Sequence, residues 1–117
     1  MAALETAFPS SNPSLGVVLV TAGSEAEATH LARYLVEARL AACVSLFPMQ
    51  SIYRWEDEVQ TEPEWQLIIK TDLSQFEQLT QAVTQHHSYD VPEIIALPIV
   101  NGFPPYLTWL QAQSQPS

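Results

Sequence analysis

The sequence predicts an α+β domain in which two helices lie on one face of a four-stranded antiparallel sheet, in the order β-α-β-β-α-β, followed by an extra C-terminal helix. Three observations carry this reading. Four β-branched, apolar runs bracket two stretches whose apolar residues recur at helical spacing. The second and third runs are separated only by the polar turn Glu56-Asp57-Glu58, which makes them a hairpin. Each helical stretch falls between strands and so acts as a crossover, the split βαβ pattern.

Residues 1–14, rich in Ala, Ser, Pro and Asn without periodicity, read as a disordered N-terminal tail. The domain spans residues 15–113. Gly16-Val17-Val18-Leu19-Val20-Thr21 is a continuous apolar run, expected as a central strand. Ser24 opens the first helix, with Glu27 at capping-box spacing. Ala28, Leu31, Ala32, Leu35 and Val36 form its apolar stripe. The second strand runs from Ala41 to Phe47, is interrupted at Pro48, and resumes from Ser51 to Trp55.

The third strand continues through Glu64 to Thr71, with Pro63 marking its outer half as an edge. Ser74 opens a second helix, Glu77 again lying three residues on. Phe76, Leu79, Ala82 and Val83 form its stripe, and it ends near His86. Glu93 to Val100 reads as the fourth strand. Asn101-Gly102 is a turn, and Pro104 or Pro105 suits the first position of a short helix over Tyr106–Leu110. Residues 114–117 read as a C-terminal tail.

The second and third strands make a hairpin long enough to overhang the domain, and its outer part carries Tyr53, Trp55 and Trp65. One sheet face lacks helical cover. Exposed aromatics on such an overhang would be an apolar patch, so the hairpin is expected to pack on sister subunits.

Composition narrows the function. A chain of 117 residues that is 47% hydrophobic is one globular domain. It has 13 acidic and 4 basic residues, a net charge of −9. Arg33, Arg39, Arg54 and Lys70 lie far apart and cannot neutralise a run of phosphates, which argues against nucleic acid. No apolar run is long enough for a membrane helix, and no basic leader precedes Arg33. The single cysteine, Cys43, rules out an internal disulfide and suits a reducing compartment, so the expected location is cytoplasmic.

The richest segment in potential chemistry is His86-His87-Ser88-Tyr89-Asp90-Val91-Pro92-Glu93. Imidazole and carboxylate are the usual ligands of borderline divalent metals and the usual proton-transfer groups. His87 and Glu93 bracket a loop restrained by Pro92, and Tyr89 lies between them. Consecutive side chains diverge, so His86 and His87 cannot share a site through sequence adjacency. Histidines at a helix end also have a bland explanation, since they favour its negative pole. His30, beside the first helix's stripe, reads as surface. Cys43 is either an inert core residue or a soft metal ligand. Glu64 and Lys70 share a strand face about 20 Å apart, so each needs a partner from elsewhere; Lys70 is an anion-binding candidate or a structural ion-pair member. Tyr53 and Trp55 are interface aromatics or walls of a ligand cleft. No Gly-rich phosphate loop, HExxH or CxxC pattern is present, so no catalytic residue is assigned.

Several segments in order resemble the CutA family of divalent-cation tolerance proteins. They are Leu40-Ala41-Ala42-Cys43-Val44, Ser51-Ile52-Tyr53-Arg54-Trp55-Glu56, Glu64 with Ile69-Lys70-Thr71, His87 with Tyr89, Val91-Pro92-Glu93-Ile94, and Tyr106-Leu107 with Trp109. The chain departs from the family pattern at Ser88, Ser45 and Asp57, where Pro, Asn and Gly are usual. The resemblance implies a ferredoxin-like fold, assembly as a homotrimer built like the PII signalling proteins, and an association with copper and other divalent metals, with no required cofactor. It leaves two functional readings: a trimer whose intersubunit clefts bind a metal or small ligand weakly through His87, Glu93 and Cys43 with Tyr53, Trp55, Glu64, Lys70 and Tyr89, or a PII-like signalling trimer that binds a partner. An enzyme using Lys70 and Glu64 or His87 in an intersubunit cleft is the third reading.

Overall fold

The computed structural model describes residues 14–116, so the expected N-terminal tail lies outside it apart from Ser14. The elements are β1 (Leu15–Ala22), α1 (Glu25–Glu37), β2 (Cys43–Trp55), β3 (Glu58–Asp72), a 3-10 turn (Leu73–Gln75), α2 (Phe76–His86), β4 (Ile94–Pro98) and α3 (Pro104–Gln113). The sheet order is β2-β3-β1-β4, and every neighbouring pair is antiparallel. This is the anticipated βαββαβ arrangement with a long hairpin and a third helix.

Strand alternation divides the sheet into two unequal faces. Val18, Val20 and Ala22 of β1, with Leu67 and Ile69 of β3, pack against Ala28, Leu31, Leu35, Leu79 and Val83 of the helices. The other face holds Leu15, Val17 and Leu19 of β1. Among the described residues only its end is covered, where Leu107 and Leu110 of α3 close over Leu15. Beyond α3 the face is open: Val17, Leu19 and Ile68 are half-buried, and Ile95 and Leu97 are 48% and 47% exposed.

The hairpin leaves the sheet altogether. β1 pairs with β3 only as far as Trp65, so the seven pairs from Met49–Glu64 to Trp55–Glu58 meet only each other. At about 3.3 Å per residue the overhang is roughly 23 Å long. It stretches the molecule to 50 × 32 × 22 Å, with a radius of gyration of 15.8 Å, where a compact chain of this size has about 13 Å. Glu56 (φ 50°) and Asp57 (φ 65°) close it in the left-handed region. That geometry belongs to a two-residue type I′ turn, which usually selects Asn-Gly.

Several boundaries differ from expectation. β2 runs unbroken through Pro48, because β2 is an edge strand with a side that needs no donor. Pro63 sits where β3 has already passed the end of β1, so its missing N–H costs no ladder bond there. The second helical segment is capped by Asp72 rather than Ser74: the Asp72 carboxylate accepts the Ser74 N–H at 2.9 Å and starts a 3-10 turn. β4 is only Ile94–Pro98, shorter at both ends than its apolar pattern.

The C-terminal segment is docked beyond α3. Ser114 is fully buried, and its carbonyl accepts from the Gln75 amide. Arg39 donates to the carbonyls of Gln115 (2.7 Å) and Ala112 (2.9 Å). Gln115 donates to Asp72 at 2.7 Å. Burial alone would raise the Asp72 pKa, but hydrogen bonds from Ser74, Ser14 and Gln115 together hold it below the usual 3.8. Arg39 adopts φ 61° at the end of α1, where Leu40 N–H bonds Leu35 O (2.9 Å) and Arg39 N–H bonds Val36 O (3.1 Å). This Schellman ending normally carries glycine.

Candidate functional site

The chemistry-bearing loop folds onto the end of β1 where α1 begins. Ser24 caps α1 by accepting the Glu27 N–H at 3.1 Å. The Glu27 carboxylate turns back and accepts the Gly23 N–H at 3.1 Å. It also accepts the Ser88 N–H at 2.7 Å and the Ser88 hydroxyl at 3.1 Å. One carboxylate thus joins the α2–β4 loop to the start of α1. Partial burial would raise the Glu27 pKa, but the Ser88 and Gly23 hydrogen bonds outweigh it and hold the group below 4.5. Ser88, the departure from the family's proline, is the residue that supplies both the N–H and the hydroxyl. A Cβ at residue 23 would come within 3.2 Å of the Tyr89 hydroxyl, so Gly23 leaves room for that phenol.

His87 sits behind this loop with a fully buried side chain. Its Nε2 is 2.7 Å from the Thr21 carbonyl. A carbonyl only accepts, so Nε2 carries the proton. Its Nδ1 accepts the Tyr89 N–H at 3.0 Å, which occupies the remaining lone pair. The 3.7 Å approach of Glu27 to Nδ1 is therefore not a charged pair in this tautomer. Both nitrogens are committed within the domain, and His87 braces the loop instead of offering a metal ligand. His86, the next residue back, turns the other way, onto Tyr34 and His30.

The loop's solvent side gathers acidic groups. The Tyr89 hydroxyl donates to Glu64 of β3 at 3.1 Å. Burial first, and then the Glu64 hydrogen bond and charge, push the Tyr89 phenol up to about 12. Burial and the charge of Glu64 also raise the Glu93 carboxyl above 4.5. Tyr89 and Glu64 thus join the loop to the hairpin, and the Glu93 carboxyl senses the Glu64 charge. Tyr53 lies on the same face of the hairpin as Glu64 and is 42% exposed; Trp55, at the tip, is 63% exposed.

Lys70 and Cys43 lie elsewhere. They are directly paired across β2 and β3, opposite Val17 of β1. The Lys70 ammonium sits 5.7 Å from the Tyr106 ring centroid, a cation–π contact, and Cys43 is a half-buried free thiol. Phe47, the β2 residue in register with Gln66 and Thr21 at the His87 end, is four residues from Cys43, or about 13 Å along the strand. The anticipated ligands His87, Glu93 and Cys43 are thus not brought together within one chain. Among the described residues no three His, Cys, Asp or Glu side chains are placed to hold an ion. Glu27 is the site residue that sequence reasoning missed. Its capping-box position accounted for it locally, and no sequence signal points to a partner 61 residues away.

Comparison with known proteins gives a consistent result. The family model described as "CutA1 divalent ion tolerance protein" matches residues 16–113. The divalent-cation tolerance protein CutA of Thermus thermophilus is 49% identical over 96 residues, covering 81% of this chain and 93% of that protein. Protein CutA, chloroplastic, of Arabidopsis thaliana is 48% identical over 100 residues, 85% of this chain; the match spans 54% of the Arabidopsis protein, about half its length. Among solved structures, CutA1 of Oryza sativa superposes with a TM-score of 0.87 at 43% identity, covering 92% of this chain and all of that one.

Proposed function

The chain belongs to the CutA1 divalent ion tolerance protein family, and from that premise we propose that it acts in divalent-cation tolerance as a homotrimer with ligand clefts between its copies. One observation carries the assembly: an open apolar sheet face and an overhanging aromatic hairpin occur in the same chain. Ile95 and Leu97 on the face, and Tyr53 and Trp55 on the hairpin, are more than two-fifths exposed. Obligate assemblies bury surfaces of this kind, about 2,000 Å² or more in total. The cleft is proposed where a neighbouring copy closes over Tyr89, Glu64 and Glu93, with Tyr53 as a wall. The paired carboxylates attract a cation, and Lys70 or Cys43 enters only from another copy. Copper is expected to bind weakly there, since oxygen donors suit harder cations.

A second reading draws on a separate observation. Both nitrogens of His87 are engaged, which favours a PII-like trimer that binds an effector or partner without a metal. Neither reading assigns a catalytic residue. Among the described residues no helix is long and apolar enough to cross a membrane. The lone thiol keeps a reducing, cytoplasmic location as the working assignment.

Light scattering at micromolar concentration should give three times the chain mass; a monomer would refute the assembly. Copper titration of Glu64→Gln and Glu93→Gln trimers should show weaker binding than wild type at the cleft. Unchanged binding would remove the metal and leave the PII-like reading.

A further inference from the structure

We propose that His30 and His86 form a two-histidine chelate for a borderline divalent cation of the copper or zinc type, on the helical face of the domain. His30 lies in the middle of α1 and His86 is the last residue of α2, 56 positions apart. The fold brings His30 Nε2 and His86 Nδ1 to 3.4 Å. With metal–nitrogen bonds of about 2.0–2.1 Å and a tetrahedral angle of about 109°, two ligand nitrogens stand about 3.3–3.4 Å apart. The observed spacing meets that requirement without moving either backbone. It is longer than the usual hydrogen-bond range of about 2.7–3.2 Å.

The surroundings favour a cation. Among the described residues neither ring makes another hydrogen bond, in contrast to His87. The ring of His86 lies 4.3 Å from that of Tyr34, centroid to centroid, which limits its rotation and pre-sets the donor. The C-terminal end of α2 presents the negative pole of the helix, and the chain carries a net charge of −9. Arg33, one turn from His30, lines a shallow groove with Val36 and Glu37 of α1 and Val44 of β2. Water fills the remaining coordination positions in such a site.

This pair shares no residue with the proposed cleft and does not rest on it. Its donors are nitrogens, so the order of affinity should be copper above zinc. The full-length protein, stripped with a chelator, is titrated calorimetrically with each ion, and copper coordination is followed by electron paramagnetic resonance. We expect one equivalent per chain with a two-nitrogen signature. His30→Ala and His86→Ala should each weaken it by at least about tenfold, the lower end of what losing even an outer partner of a ligand costs. The double variant should be little worse than either single one, because a chelate is lost with its first arm. Melting curves confirm that the variants remain folded, and His30→Asn provides a second replacement. Glu64→Gln should leave this equivalent intact, which separates it from the cleft. Unchanged affinity in the double variant, or a two-nitrogen signature persisting in His30→Ala, would overturn the proposal.

Discussion

Replacing His87 with alanine should damage the fold of the loop rather than remove a metal ligand. The side chain is wholly buried and spans two backbone groups, the Thr21 carbonyl on β1 and the Tyr89 N–H beyond α2. Each lost hydrogen bond is worth about 1 kcal/mol. Emptying a buried ring-sized space adds about 1–2 kcal/mol, below the range for larger aromatic deletions because the loop can partly collapse. The sum is about 3 kcal/mol, which lowers the melting temperature of a domain this size by about 12 °C or more. Urea unfolding followed by tryptophan fluorescence, at equal chain concentration for both proteins, measures it. His30→Ala, at an exposed position, should stay within about 0.5 kcal/mol. A loss below about 1 kcal/mol for His87→Ala would refute the bracing role, because the two hydrogen bonds alone account for more than that.

Three further outcomes are expected. Glu27→Gln should destabilise the protein at neutral pH. Because the folded-state pKa of Glu27 is lowered, its contribution is present above 4.5 and is lost as pH falls through the folded value; the gap between variant and wild type should narrow as the pH is lowered, and an equal gap at pH 7 and pH 3 would contradict this. Exchanging Glu56-Asp57 for Asn-Gly should stabilise the hairpin by about 1 kcal/mol, since left-handed geometry penalises most side chains by about 1–2 kcal/mol per residue; urea unfolding that shows no gain would argue against a strained turn. In Glu64→Gln, the Glu93 titration followed by carboxyl NMR should move down toward 4.5 without reaching it, because burial, the larger cause of its elevation, remains; an unmoved midpoint would mean the two carboxylates do not sense each other.

The elements were legible in the sequence because each follows from a local pattern: alternation in the strands, the Ala28–Val36 stripe, the polar break at Glu56–Glu58. The boundaries that shifted are those where a local rule met a tertiary exemption. Pro48 interrupts a strand only if both edges need donors, and β2 has one free edge. Ser74 resembles a cap, but the Asp72 carboxylate reaches its N–H first. The site was legible only in part. The loop from His86 to Glu93 stood out by composition, and Glu64 by its place on the hairpin. The direction of each ring did not, because it depends on groups far along the chain: Thr21 and Tyr89 take His87 inward, while His30 and Tyr34 meet His86 outward. Arg39 and Gln75 gave no signal either, since they bond the backbone carbonyls of Ala112, Gln115 and Ser114, far along the chain.

The overhanging hairpin also bears on what happens to a newly made chain on its own. Two strands that pair only with each other expose a ladder of unused backbone groups along both margins, an invitation to join any stray strand. Pro48 and Pro63 remove donors from those margins. Glu56, Asp57, Glu58, Glu62 and Glu64 crowd the outer part with like charge, which discourages one hairpin from zipping onto another by backbone alone. In the proposed trimer, association then comes through side chains, aromatic against open sheet face. The segment proposed to draw sister copies together thus also screens which strands can join it.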